Sequence, residues 1–261
     1  MTTNLLRAAF GLLYAGLWLS TLWEGSGFYV VFVLGLSILV IKEFMSLHSI
    51  SAWWKAVLVG ACTFGLFQAK VPQIIWAFGA VLAQIYFAYH MLTQKKWHAN
   101  TLITMAMACT HIGFPMLLLL PEGSERAVMN PDLITGILLL VWTTDSVAFL
   151  FGSWLGKRPL YTLVSPNKTI EGAIAAICVA PIMGFGIAQY SQVLSLNSWL
   201  IVGLLIAVLS IIGDLTQSHI KRMANVKDSG KLMPGHGGLY DRTDSLIFVI
   251  PFLYIIIYFS T

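Results

Sequence analysis

The chain is built from unbroken apolar runs, and no other feature constrains its folding so strongly. Nine of them, at about 5–23, 27–45, 52–68, 72–92, 100–120, 132–153, 170–190, 197–219 and 244–260, approach the length of a membrane crossing. A helix needs roughly 20 apolar residues to span the hydrocarbon core. The runs are continuous and do not alternate, which speaks against a β-barrel and for helices that bond their own backbone internally. Only 10% of the 261 residues are charged, too few to clothe a soluble domain of this size. The expected fold is therefore all-α: a polytopic integral membrane protein of about nine transmembrane helices, one transmembrane domain over 1–261, without internal repeat. The run after Arg7 has no small-residue cleavage site and reads as a retained first span. Asn130-Pro131 should open the sixth helix, and Gly25-Ser26-Gly27 should part the first two. Cys62, Cys109 and Cys178 stand singly in apolar runs and read as small core residues.

Charge distribution gives the sidedness. With nine spans, Arg7, Lys42, Lys55, Lys95, Lys96, Lys157, Arg158, Lys168, Lys221, Arg222, Lys227, Lys231 and Arg242 share one side, leaving only Lys70 and Arg126 opposite. The positive-inside rule then puts the amino terminus and both long polar loops in the cytoplasm, and the carboxyl terminus outside. The formal charge of +4 implies no nucleic-acid partner.

The acids call for a different explanation. Asp145 and Asp214 lie within apolar runs, where an ionisable group costs roughly 2.5–3.5 kcal/mol even on the lenient insertion scale. A helix–helix hydrogen bond or a buried ion pair remains an alternative reading for Asp145. Asp214 opens the most polar stretch of the chain, GDLTQSHIKRMANVKDSGKLMPGHGGLYDRTD, residues 213–244. Asp214, Ser218, Lys221, Arg222 and Asn225 follow helical spacing and should line one face. Asp241 comes 27 residues after Asp214, across a glycine-rich turn that lets the loop fold back. The two carboxylates can then share cations, and hard oxygen ligands without a His/Cys cluster favour Mg²⁺ over zinc. Gly237 and Gly238 would let backbone amides approach an anion. His236 could contact a phosphate, act as an acid or hold the turn.

The other polar loop reads GKRPLYTLVSPNKTIEG, residues 156–172. Ser165-Pro166 or Asn167 can open the seventh helix, and its free amides beside Lys168 would form a phosphate cradle. Capping alone also accounts for Ser165, Asn167 and Thr169, and dipole compensation for Glu171. No GxxxxGK[ST] occurs, which excludes an ordinary P-loop.

SHIKRMANVKDSGKLMPGHGGLYDRTD, residues 218–244, resembles the signature of the phosphatidate cytidylyltransferase (CDP-diacylglycerol synthase) family. That pattern runs Ser, Lys-Arg, Lys-Asp, His-Gly-Gly and Asp-Arg-x-Asp at this spacing. Met233 replaces the family's more usual Leu, Ile or Phe. DSVAFLFGSWLGK and SPNKTIEG resemble further family segments, although Ala173-Ile174-Ala175-Ala176 carries less glycine than many members have. Residues 1–130 match in hydrophobic character alone. The resemblance implies that CTP and phosphatidate give CDP-diacylglycerol and pyrophosphate. It makes 131–261 the catalytic half and 1–130 a set of packing, lipid-facing and dimerising helices, with a homodimer implied. Asp214 and Asp241 would hold the cations, Mg²⁺ and a second, monovalent one such as K⁺. Asp145, Asp228 and Asp244 would support them, while Lys168, Lys221, Arg222 and Lys227 hold phosphates. Ser165, Asn167 and Ser218 would hydrogen-bond nearby, and Arg242 belongs to the same substrate site. Transfer to another membrane lipid, isoprenoid or ether, is the neighbouring reading. An ion-coupled transporter using Asp145 and Asp214 is the distant one, disfavoured by charge gathered at one face and by the lack of matched halves.

Overall fold

The computed structural model describes residues 2–24, 26–95, 100–120, 129–233 and 237–260. His236, Gly25 and Lys96 lie outside them, and so does Arg126. Among the described residues ten α-helices follow in order: α1 (Thr2–Glu24), α2 (Ser26–Leu47), α3 (Trp53–Phe67), α4 (Gln73–Thr93), α5 (Thr101–Ala108), α6 (Phe114–Leu117), α7 (Pro131–Leu155), α8 (Ile170–Tyr190), α9 (Leu196–Met223) and α10 (Tyr240–Ser260). Among the described residues, six helices are long and apolar enough to cross a membrane: α2 from Gly27, α4, α7, α8, α9 and α10. The protein is an integral membrane protein. The runs at 5–23, 52–68 and 100–120 form shorter apolar helices.

Local chemistry sets the boundaries. Asn130 caps α7 by accepting from Leu133 N at 2.8 Å, with Pro131 in the first turn, as its sequence requires. Ser195 and Asn100 cap α9 and α5 in the same manner. One π-turn, Cys109–Gly113, joins α5 to α6 and points His111 into the core. Pro181 and Pro251 sit inside α8 and α10, which neighbouring helices in a membrane bundle can accommodate.

Three expectations need correction. The fold is not purely helical, because β1 (Pro159–Tyr161) and β2 (Ser165–Thr169) form an antiparallel hairpin before α8. The helix consequently opens at Ile170. Its cap is Thr169, which accepts from Gly172 N at 3.2 Å, while Ser165 and Asn167 are extended strand residues. Pro166 has no amide to give, and Ile170 N donates to Arg158 O at 2.9 Å, so hairpin bonding holds the backbone extended to that point. Asn225 does not continue the face of α9, because its φ of 57° turns the chain out of the helix. Cys62 and Cys178 are exposed and so are not core residues, whereas Cys109 is half-buried and packs against the core. Apolar groups on the outside of a bundle lose nothing by facing lipid.

The core runs through α1, α2, α7, α9 and α10, with Trp18, Phe44, Trp199 and Tyr254 fully buried. The ends of α2 and α4, the hairpin, and the facing ends of α7, α9 and α10 gather at one end of the bundle. Ser229 Oγ reaches Glu43 on α2 at 2.8 Å, and Gln94 Nε2 just past α4 reaches Tyr161 Oη at 2.8 Å. The polar loops expected on one side therefore meet.

Candidate active site

Asp214 and Asp241 share that end. Asp241, in the first turn of α10, lies against α9. Its Oδ1 accepts from Gln217 Nε2 at 3.0 Å and Lys221 Nζ at 2.7 Å, and its Oδ2 from the amides of Ser229 and Gly238, each at 2.9 Å. Gln217 and Lys221 stand three and seven residues beyond Asp214, roughly 4.5 and 10.5 Å along the helix axis. The environments differ sharply. Asp241 and Lys221 side chains are 7% and 12% exposed, whereas Asp214 is 37% exposed and pairs with Lys168, itself 25% exposed.

Asp214 and Lys168 face a cavity of about 660 Å³ between α7, the hairpin, α8 and α9. Asp145, Asn167 and Thr169 line it too, together with the apolar Phe149, Leu160 and Ile211. Asp145 accepts from Ser245 Oγ at 3.4 Å and lies within electrostatic range of Asp214, Lys168 and Arg242. Asp244 accepts from Ser245 N at 2.8 Å and feels Asp214, Asp145 and Lys221. Asp145, Asp214 and Asp244, from three helices, thus share one electrostatic neighbourhood with Lys168 and Lys221, and Lys221 links it to Asp241.

Other expected residues are placed less directly. Ser218 is buried and donates from Oγ to Asp214 Oδ1 at 3.5 Å. Arg222 donates from Nε to Val164 O at 3.4 Å and from Nη1 to Val226 O at 3.1 Å, so it braces the hairpin against the end of α9. Ser165 pairs with Tyr161 in the hairpin and is not among the residues lining the cavity. Glu171 does more than complement a dipole: its carboxylate accepts from the amides of Lys157 and Arg158 at 3.1 and 3.2 Å and from Arg158 Nε at 3.1 Å. Lys227 and Asp228 are exposed on the loop after α9, and Arg242 is exposed at the start of α10.

The glycine turn does bring amides to anions, but the anions belong to the protein. Gly237 has φ of 85°, open to few side chains, and Gly238 N donates to Asp241. A Cβ on Gly238 would collide with the carboxylate of Glu43 and with Ser229 Oγ. Glu43 is the residue that the motifs missed. It is the only acid between residues 25 and 121 and sits inside an apolar run. The criterion that singles out Asp145 and Asp214 also marks Glu43.

The profile of the cytidylyltransferase family matches residues 5–260. The chain belongs to this family. Phosphatidate cytidylyltransferase of Staphylococcus aureus (strain COL) is 30% identical over 249 residues, covering 92% of this chain and 93% of that protein. The Staphylococcus epidermidis (strain ATCC 12228 / FDA PCI 1200) protein of that name is 29% identical over 249 residues, covering 92% and 94%. The one from Staphylococcus haemolyticus (strain JCSC1435) is 34% identical over 178 residues, 66% of this chain and 65% of its own. The cytidylyltransferase match reaches back through α1 to α6, where no motif could be read. Among the described residues no three Asp, Glu, His or Cys side chains converge closely enough to hold a metal unaided.

Proposed function

We propose that this enzyme transfers the cytidylyl group of CTP to phosphatidate, producing CDP-diacylglycerol and pyrophosphate. The observation that carries this reading is the cavity between α7, α8, α9 and the hairpin, where Asp145, Asp214 and Lys168 stand beside Phe149, Leu160 and Ile211. It offers charge to polyphosphate and an apolar wall to acyl chains in one place, and Phe149 is 73% exposed on the outer side of α7.

In the reaction a phosphate oxygen of phosphatidate attacks the α-phosphorus of CTP. The new P–O bond forms as the α–β anhydride bond breaks, and the electron pair leaves with pyrophosphate. No protein nucleophile is required; the task is to align two anions and offset their charge. Lys168 is placed to meet phosphate, since its partner Asp214 is open to water and their pairing can be exchanged. Lys221 is held by Asp241 and adds positive potential from behind. Asn167 can hydrogen-bond from the hairpin, and Arg222 keeps that hairpin in place. Mg²⁺, held by Asp214 with Asp241 nearby, would supply charge neutralisation for the triphosphate when bound, and a monovalent cation such as K⁺ could accompany it.

The fuller topology belongs to the same proposal. Nine spans, a cytoplasmic amino terminus and a site at the inner face of the bacterial cytoplasmic membrane would bring cytosolic CTP to a membrane-held phosphatidate. A homodimer is compatible with the broad apolar exterior. The test is purified protein in mixed micelles with labelled CTP, phosphatidate and Mg²⁺. CDP-diacylglycerol and pyrophosphate should form in equal amounts; folded protein that yields neither removes the proposal.

A further inference from the structure

Glu43 has no part in the cavity, yet it organises the loop that leads to Asp241. Its side chain is 94% buried, by the 6% exposure of the residue, at the end of α2. Oε1 accepts from Leu239 N at 3.1 Å, and Oε2 accepts from Tyr240 N at 2.9 Å and Ser229 Oγ at 2.8 Å. Leu239 and Tyr240 begin α10, where amides have no partner within their own helix. Glu43 therefore caps α10 from a helix about 200 residues away in sequence. A carboxylate at a helix amino terminus also meets the positive end of its dipole.

Ser229 joins this cap to the candidate metal ligand. Its hydroxyl donates to Glu43, and its amide donates to Asp241 Oδ2. Gly238 makes the second link, with its amide on Asp241 and its Cα hydrogens against Glu43. At Gly230 a Cβ would lie 2.5 Å from Glu43 Oε1. The loop thus packs around two carboxylates: Gly230 and Gly238 stand where a side chain would strike Glu43, and Gly237 where one would strike Asp241. On the far side, Tyr240 Oη meets His111 Nε2 at 2.8 Å, so the first turn of α10 is fixed from two directions.

We infer that Glu43 is a positioning residue for the transfer reaction, setting the place of the Asp241 carboxylate through Ser229, Gly238 and the first turn of α10. This rests on the proposal that Asp241 belongs to the cation site. Only an acceptor serves here, because all three partners donate. Glu43→Gln would turn an NH₂ toward an N–H or O–H donor and break at least one bond. Glu43→Asp keeps the charge but falls a methylene short.

The experiment compares wild type, Glu43→Gln, Glu43→Asp, Ser229→Ala and Asp241→Asn as purified protein in lipid nanodiscs. Mn²⁺ serves as the probe ion, with its binding read by electron paramagnetic resonance without substrate. Hydrogen exchange is followed over 227–241, and kcat and the Mg²⁺ half-saturation are measured separately. Partners that orient a metal ligand typically change affinity or activity by about 10- to 100-fold when lost. Glu43→Gln should therefore weaken Mn²⁺ binding by about 10-fold or more and speed exchange at 229–241, leaving exchange in α7 and α8 unchanged. Ser229→Ala should do the same more weakly, and it keeps the proposal testable if Glu43→Gln fails to fold. Mn²⁺ affinity equal to wild type in both Glu43→Gln and Ser229→Ala overturns the inference, since a purely structural cap would show faster exchange alone. Undiminished Mn²⁺ binding in Asp241→Asn would instead overturn the cation-site reading itself.

Discussion

Two lysine–aspartate pairs flank the cavity, and their burial predicts opposite consequences when the lysine is removed. Lys221 and Asp241 are 12% and 7% exposed and 2.7 Å apart; Lys168 and Asp214 are 25% and 37% exposed. At an effective dielectric near 20, charges at 2.7 Å attract by about 6 kcal/mol, most of it offset by desolvation. Removing one partner of such a buried pair costs about 3–5 kcal/mol, because the other charge is stranded. Asp241 keeps Gln217, Ser229 and Gly238 as donors, so Lys221→Met should fall at the lower end, about 3 kcal/mol. For a chain of this size that is a fall of roughly 5–10 °C in melting temperature. Lys168→Met removes a pair whose aspartate is 37% exposed and can be solvated when left alone, so it should melt closer to wild type than Lys221→Met. Its effect belongs in kinetics: kcat/KM for CTP should drop by about 100-fold or more, the scale of losing one charge-stabilising donor. Scanning fluorimetry of the detergent-solubilised variants, with CTP turnover on phosphatidate micelles, separates the two. If Lys168→Met melts as low as Lys221→Met, or Lys221→Met does not move, the reasoning from burial is wrong.

Asp214→Asn should reduce turnover by orders of magnitude with little change in melting, whereas Asp241→Asn should lower both; matched behaviour would erase the division between open and buried carboxylates. EDTA should abolish CDP-diacylglycerol formation and Mg²⁺ restore it, and turnover persisting in EDTA would exclude a divalent cation from the site. Gly136→Ala sets a methyl into the ring of Trp199, an overpacking worth about 1–3 kcal/mol. It should therefore lower the melting temperature at unchanged kcat. Single cysteines at Lys227 and Tyr190, in a chain freed of Cys62, Cys109 and Cys178, should label from opposite faces in oriented vesicles, and labelling from one face would break the nine-span topology.

Helical runs and the polar stretch 213–244 were legible because both are written locally. A run of apolar residues determines its own backbone, and Asp214 advertises itself against the hydrocarbon around it. The hairpin at 159–169 was not legible, because SPNKT reads equally as a capping segment. Only the bond from Ile170 N to Arg158 O decides for strand. Gly237 and Gly238 were expected to let backbone amides approach an anion; the Gly238 amide bonds the carboxylate of Asp241, three residues on. The second carboxylate against which Gly238 packs, Glu43, depends on α2 meeting a loop almost 200 residues later, which no local pattern records. Asp241 reads in sequence as a free ligand, yet its four donors come from α9, the loop and the glycine turn.

The arrangement also explains why one carboxylate is so heavily bonded while its neighbour is left open. A site that must admit a triphosphate and a lipid phosphate cannot commit every charge in advance, since binding would then require breaking each pair. Asp214 is 37% exposed where it meets Lys168, so its carboxylate can be reached without dismantling a buried frame. Asp241 and Lys221 are fixed by burial and by amides that cannot leave, and so they hold the electrostatic frame when the cavity fills. Pre-set dipoles and charges of this kind lower the reorganisation that accompanies transfer. If the division is correct, substrate should protect Lys168 from amine-reactive reagents and leave the reactivity of Lys221 unchanged. Equal protection of both lysines would mean that Lys221 also leaves its aspartate to meet phosphate.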